Sequence, residues 1–177
     1  AMPIRAVTFD FWCTLFRITE GTARQQMRVD ALCAATRCSQ PEAHQALQAV
    51  ADAFADHHIR HQKTLGPHDA VRMAARHVGA TLPEDKVEEV AHVFGTAILK
   101  HPAVPIEGAL EAVKAVREEF PAAVISDTGL SPGSSLRELL ERNGIGGLFV
   151  DLAFSDELGV SKPQAPMFKR VADAMGV

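Results

Sequence analysis

From Arg17 to about Val104 no run of residues reads as a β-strand, yet short apolar runs that do read as strands stand on both sides of that stretch. The first is Ile4-Arg5-Ala6-Val7-Thr8-Phe9, which ends at Asp10. The others are Ala122-Ala123-Val124-Ile125, which ends before Ser126, and Leu148 through Phe154, which ends before Ser155. Each is the pattern of a buried parallel strand with a polar residue at its carboxyl tip. Between and after the later runs the apolar period changes to that of a helix. Leu110, Val113, Val116 and Phe120 mark a helix over 107–120, and Leu136, Leu139 and Leu140 mark another over 134–143, stopped at Gly144. A last helix opens near Pro166, carries Phe168, Val171 and Met175, and stops at Gly176. Alternating strands and helices demand a parallel sheet with right-handed crossovers, hence an α/β fold.

The strand-free stretch predicts four helices. Ser39-Gln40-Pro41-Glu42 and Thr81-Leu82-Pro83-Glu84 share the form of a capping box with proline in the first turn, so each should open a helix. Ala43, Leu47, Val50 and Phe54 follow the first box at helical spacing; Val87, Val90, Phe94 and Ile98 follow the second. Helices near 22–38 and 67–78 complete the set, and the segment Pro102 to Pro105 returns the chain to the sheet. The expected division is therefore an α/β core made of residues 1–16 and 105–177, with a helical insert over 17–104. Phe54, Phe94 and Met27 read as core of that helical bundle.

Composition narrows the class of function. The chain has 177 residues, 47% hydrophobic and 23% charged, near globular averages, with a net charge of −4 and no long basic run. Nucleic acid is therefore not an expected partner. No stretch approaches the roughly 20 apolar residues that cross a bilayer, so no membrane is expected. No secretory signal is visible, and the odd set Cys13, Cys33 and Cys38 lacks zinc-type pairing, which suits a reducing compartment; the cytoplasm is the expectation. Ala1 before Met2 reads as a scar of tag removal.

Ligands of open parallel sheets bind outside the carboxyl ends of the strands. Asp10, followed by Thr14, suits a carboxylate nucleophile there; Ser126 suits a hydroxyl donor to substrate oxygens, and Lys162 a neutralising cation. Taken singly, Asp10 could cap a turn, Ser126 and Thr128 could cap the helix near Ser134, and Lys162 could be a solvated loop lysine. His57 and His61, four apart without an intervening acid and beside Arg60, read as polar surface rather than a metal site. Cys13 reads as a small, semi-buried filler.

In order, Ala6 to Leu15, then Val124-Ile125-Ser126-Asp127-Thr128-Gly129, then Ser161-Lys162-Pro163, resemble the first three motifs of the haloacid dehalogenase-like (HAD) hydrolase superfamily. The helical insert resembles that family's mobile cap between the first two motifs, and the resemblance spans essentially the whole chain. It implies a HAD-like Rossmannoid parallel sheet, incomplete at the C-terminus, with an inserted four-helix cap. It implies further that Asp10 is the nucleophile and, with the Trp12 carbonyl, a magnesium ligand, that Ser126 binds the substrate anion, and that Lys162 steadies Asp10 and the transferring group. Thr14 joins the catalytic candidates; Asp127 and Trp12 join Ser126 as substrate-binding candidates, although Asp127 adds negative charge near any anion. Trp12 reads equally as a wall over the substrate or as packing between cap and core.

Two departures from the family pattern bear on function. Most family phosphatases carry a second Asp two residues after the nucleophile to protonate the leaving alkoxide, and here that position is Trp12, whose indole cannot. The dehalogenase and phosphonatase branches also lack this acid. In the family a fourth strand bearing an acidic motif completes the magnesium site, and the linker to that strand would begin near Gly176-Val177. Without that strand the first one is expected to be an exposed edge, inviting a second copy of the chain. The function implied is hydrolysis of a small anionic, phosphate-type metabolite through an aspartyl intermediate. The alternatives are carbon–halogen hydrolysis of a 2-haloacid and a non-catalytic module that keeps the fold.

Overall fold

The computed structural model describes residues 3–177; Ala1, read above as a tag scar, and Met2 lie outside the described residues. In chain order the elements are β1 (Val7–Phe9), β2 (Phe16–Arg17), then helices α1 (Gly21–Thr36), α2 (Gln40–His61), α3 (Pro67–His77) and α4 (Glu84–Lys100). There follow β3 (Val104–Pro105), α5 (Ala109–Glu119), β4 (Ala122–Ser126), α6 (Gly133–Arg142), a single 3-10 turn over Gly146–Leu148, β5 (Asp151–Phe154), α7 (Ser155–Leu158) and α8 (Ala165–Met175). None of the described helices is long and apolar enough to cross a membrane.

β4 lies at the centre of a parallel sheet of order β1-β4-β5. Phe9 is opposite Val124, and Ser126 is opposite Phe154, so all three strands end on one sheet edge. All five β4 residues, Ala122 to Ser126, are buried, as a strand covered on both faces requires. β1 is shorter than the expected 4–9 run and lies at a sheet edge among the described strands, with Thr8 exposed. The expected strand over 148–154 splits, because Gly146 and Gly147 permit a 3-10 turn that ends at Leu148 and leaves β5 to start at Asp151.

A ribbon that periodicity did not suggest closes the base of the insert: Phe16 and Arg17 pair antiparallel with Pro105 and Val104. At two residues a side it is too short to show a period. Beyond it, α1 to α4 pack around their own cluster, in which Val29, Leu32, Leu47, Val71, Val87 and Phe94 are buried. Each fully buried side chain of this size contributes about 1.5–3 kcal/mol. Met27, expected in that core, lies outside the cluster and is only half-buried, whereas Arg24 and Arg28 on the same helix are buried.

The two capping boxes have different outcomes. Ser39 caps α2 as expected, accepting from the Glu42 N–H at 3.4 Å while its own N–H donates to Glu42 Oε2 at 2.7 Å. The Thr81 box does not form. α4 starts at Glu84 with Pro83, held in extended backbone, as its cap and without a side-chain hydrogen bond.

α8 is fastened to β5 by Arg170, whose Nε and Nη2 donate to Asp151 Oδ2 and Oδ1 at 2.7 and 3.1 Å. This pairing is the main reason the Asp151 carboxyl is held below the usual carboxylate range. A depressed carboxyl stabilises the fold above its unfolded pKa and loses that contribution as pH falls through its folded pKa. Discounted for a half-exposed arginine, Arg170→Met should lower stability by about 0.5–1 kcal/mol at neutral pH. That difference should shrink as pH falls below the ordinary carboxylate range, because the carboxyl protonates first in the unfolded chain and then, at lower pH, in the folded one. Urea midpoints measured from neutral pH down through the acid range check it; a gap that does not narrow as pH falls means that Arg170 acts through packing alone.

Candidate active site

Asp10 is the residue after β1, and its position follows from the parallel register that carries β1 to the same edge as the end of β4. The loop behind it is wound tightly. Phe11 is fully buried and stacks on Phe16 with centroids 4.6 Å apart, Leu15 and Phe16 both donate to the Phe11 carbonyl, and the Cys13 N–H donates to the Phe16 carbonyl at 2.8 Å. The turn puts Cys13 in left-handed backbone at φ 58° and leaves its side chain exposed, which corrects the expected semi-buried filler. Thr14 sits exposed in the same turn and makes no hydrogen bond with Asp10.

Lys162 arrives from the loop between α7 and α8, with its Nζ 3.1 Å from Asp10 Oδ1 and 3.4 Å from the Ile125 carbonyl. One ammonium thus bridges the tips of β1 and β4. Asp10 Oδ1 also accepts the Phe11 N–H at 2.8 Å, while no described residue donates to Oδ2. The carboxylate is therefore oriented through one oxygen and open at the other. With the side chains of Lys162 and Asp10 28% and 38% exposed, the pair contributes little to stability but leaves the open oxygen accessible.

Ser126, at the end of β4, is fully buried and donates to the Asp127 carbonyl at 3.1 Å. Asp127 Oδ1 accepts the backbone N–H of Lys162 at 2.9 Å, and Oδ2 lies 3.7 Å from Nε2 of His58 on α2. Asp127 thereby holds the loop that presents the lysine and faces the helical insert as well. Trp12 packs edge-on against Phe11 at 4.9 Å and lines a cavity of about 440 Å³ between insert and sheet edge.

Residues that the sequence motifs did not single out complete the surroundings. The Ser155 hydroxyl accepts the Thr128 N–H at 2.9 Å, and Asp156 accepts from the Thr128 hydroxyl at 2.7 Å and from the Gly133 N–H at 3.1 Å. Asp156 therefore serves the start of α6, the place where Ser126 or Thr128 could have acted as a cap. Its signal was available, since Ser155-Asp156 directly follows a strand. Arg24 and Arg28 line the cavity from α1. Their signal was two arginines one turn apart on the face that carries Leu32.

Magnesium prefers near-octahedral oxygen ligands, usually one or two carboxylates with water and substrate oxygens. Of the two ligands that the resemblance implied, Asp10 has one oxygen engaged by Lys162 and Phe11 and one open. Asp127, the next carboxylate, is tied to the lysine loop and faces a histidine. Among the described residues no three of His, Cys, Asp and Glu come together to hold a metal. These residues supply part of such a site and do not by themselves fit the ion.

The fold that positions these residues is shared with several solved structures. An L-2-haloacid dehalogenase from Xanthobacter autotrophicus superposes with a TM-score of 0.54 at 18% identity, over 99% of this chain and 66% of that one. This chain thus spans just under two thirds of that protein's length. A 2-haloacid dehalogenase from Pseudomonas syringae pv. tomato superposes at 0.63 with 16% identity, over 99% and 74%. A HAD phosphatase from Thermococcus onnurineus superposes at 0.62 with 17% identity, over 98% and 73%. At such identities the likeness is one of fold. No curated protein matches significantly by sequence. The family model for haloacid dehalogenase-like hydrolases matches residues 4–177, nearly the whole sequence, and the chain therefore belongs to the haloacid dehalogenase-like hydrolase family.

Proposed function

We propose that Asp10 is the nucleophile of a hydrolytic reaction on a small anionic substrate, of the phosphate type, through an aspartyl intermediate. The observation that carries this reading is the Asp10–Lys162 pair, which orients one carboxylate oxygen and leaves the other free at the sheet edge where α/β ligands bind. Oδ2 attacks phosphorus; the new O–P bond forms as the bond to the leaving oxygen breaks, and the electron pair departs with that oxygen. Water then attacks phosphorus, releasing phosphate and the Asp10 carboxylate. Lys162 neutralises charge on the transferring group and on Asp10, and Asp127 lines the cavity and holds the lysine loop. Trp12 cannot protonate a leaving alkoxide, so substrates with good leaving groups should react faster.

That same indole favours a second reading, carbon–halogen hydrolysis. Halide leaves with its electron pair and needs no proton, and the resulting ester is cleaved by water at the Asp10 carbonyl carbon. The route of oxygen separates the two. In a single turnover in 18O-water, the phosphate reading expects label in phosphate released from 4-nitrophenyl phosphate and none in Asp10. Label in Asp10 after reaction with 2-chloropropionate supports the second reading in its place. If the wild-type chain turns over neither compound, or the Asp10→Asn variant keeps the rate, Asp10 is not the nucleophile.

A further inference from the structure

Arg24 and Arg28 are 4% and 8% exposed, yet neither is paired with a carboxylate among the described residues. Their hydrogen bonds go to backbone at the end of α4: Arg24 Nη1 donates to the His101 carbonyl, and Arg28 Nε and Nη2 share the Phe94 carbonyl at 3.3 Å. Glu20, the acid whose charge acts on Arg24, is engaged with His101 at 2.8 Å. Arg24 Nε and Nη2 and Arg28 Nη1 thus have no described partner. Ser161 Oγ is the sole unpartnered side-chain atom sealed from solvent among the described residues, so the free guanidinium nitrogens are not sealed. Both arginines line the cavity that Trp12 and Asp127 also line.

Two adjacent buried cations of like sign are costly to keep, and burial together with the Arg24 charge pushes Arg28 down to about 10. Charges held at such a cost are relieved by an anion, and the planar fork of a guanidinium suits two oxygens in one plane.

We infer that Arg24 and Arg28 form a carboxylate-binding subsite in the insert, so that the substrate carries a carboxylate in addition to the group that reacts at Asp10. The inference deepens the reading of Asp10 and Lys162 as the reacting end and rests on it. A singly charged carboxylate fits better than a second phosphate, because Asp127 faces the same cavity and repels the higher charge more strongly. Ile18 and Leu130 add apolar walls to this cavity, suited to a short carbon chain, and Trp12, two residues after Asp10, lines it as well.

Two unreactive probes differing by one carboxylate test this: phosphonoacetate and methylphosphonate, titrated by calorimetry. Trp12, the single tryptophan, reports occupancy of the cavity by fluorescence. The wild-type chain should bind phosphonoacetate at least about tenfold more tightly than methylphosphonate, the scale of one charge-assisted hydrogen-bonded group. Arg28→Gln should bring the ratio close to one. Arg24→Gln, which leaves the Arg28 bond to Phe94 in place, should lower it severalfold, so the test survives if Arg28→Gln fails to fold. Thermal melts of each variant monitor folding. A ratio that folded variants leave unchanged, or no binding of phosphonoacetate to the wild-type chain, overturns the subsite. Lys162→Ala separates the two ideas: it should weaken both probes alike. If it leaves methylphosphonate affinity untouched, the reading of the reacting end fails while the arginine subsite still stands or falls on the ratio.

Discussion

Asp10→Asn should lower turnover of an activated substrate by about 10³-fold or more, the scale on which loss of a covalent nucleophile is felt. The exchange is nearly isosteric. The amide oxygen still accepts the Phe11 N–H, so the tight turn through Cys13 to Phe16 keeps its hydrogen bonds. What disappears is the negative charge on Oδ2 and its nucleophilicity. The Lys162 pair lost with it is partly solvated and contributes about 0–1 kcal/mol, so the melting temperature should move by only a few degrees. Steady-state rates on 4-nitrophenyl phosphate, measured beside a circular-dichroism melt, separate loss of chemistry from loss of fold. A folded variant that retains the rate would remove Asp10 from the mechanism.

The largest effect on stability is expected at Phe154→Ala. Phe154 ends β5 opposite Ser126, is fully buried, and carries the Arg137 guanidinium over its ring at 5.2 Å. Its other neighbour is Gly133 at the start of α6, where a Cβ would lie 2.7 Å from both Cβ and Cδ2 of Phe154. The ring therefore fills the space between β5 and α6 so closely that only glycine fits against it. Truncation leaves a cavity that the sheet cannot close, at a cost of about 3–5 kcal/mol. Against an ordinary total of about 5–15 kcal/mol that is a large share. Ser155 and Asp156 follow directly in the chain, so the hydrogen bonds that hold Thr128 and Gly133 should loosen as well. Urea denaturation reads the loss, and a cost below about 1 kcal/mol would mean that the neighbouring helices collapse into the space.

Local patterning determined much of this protein. Short apolar runs located the three strands of the sheet and helical repeats the helices of the insert, because each element must bury apolar side chains against a partner and that need is written in residue order and spacing. The order of Asp10 and Ser126, at or just after strand ends, and of Lys162, in a later loop, located the sheet edge where they stand. The Ser39 box was legible because its bonds join residues three apart. The similar Thr81 box failed because the extended backbone at Pro83 became the start of α4, a choice between two local caps that spacing does not rank. Other features depend on residues far apart in sequence. That Asp127 holds the Lys162 loop and that Asp156 serves the start of α6 follow from docking β4 beside β5. Arg24 and Arg28 read as ordinary helix-surface arginines until α4 packs over α1 and takes them out of water. Burial and desolvation are properties of the assembled tertiary structure, and it is these that turn two surface-type residues into the charged wall of a cavity.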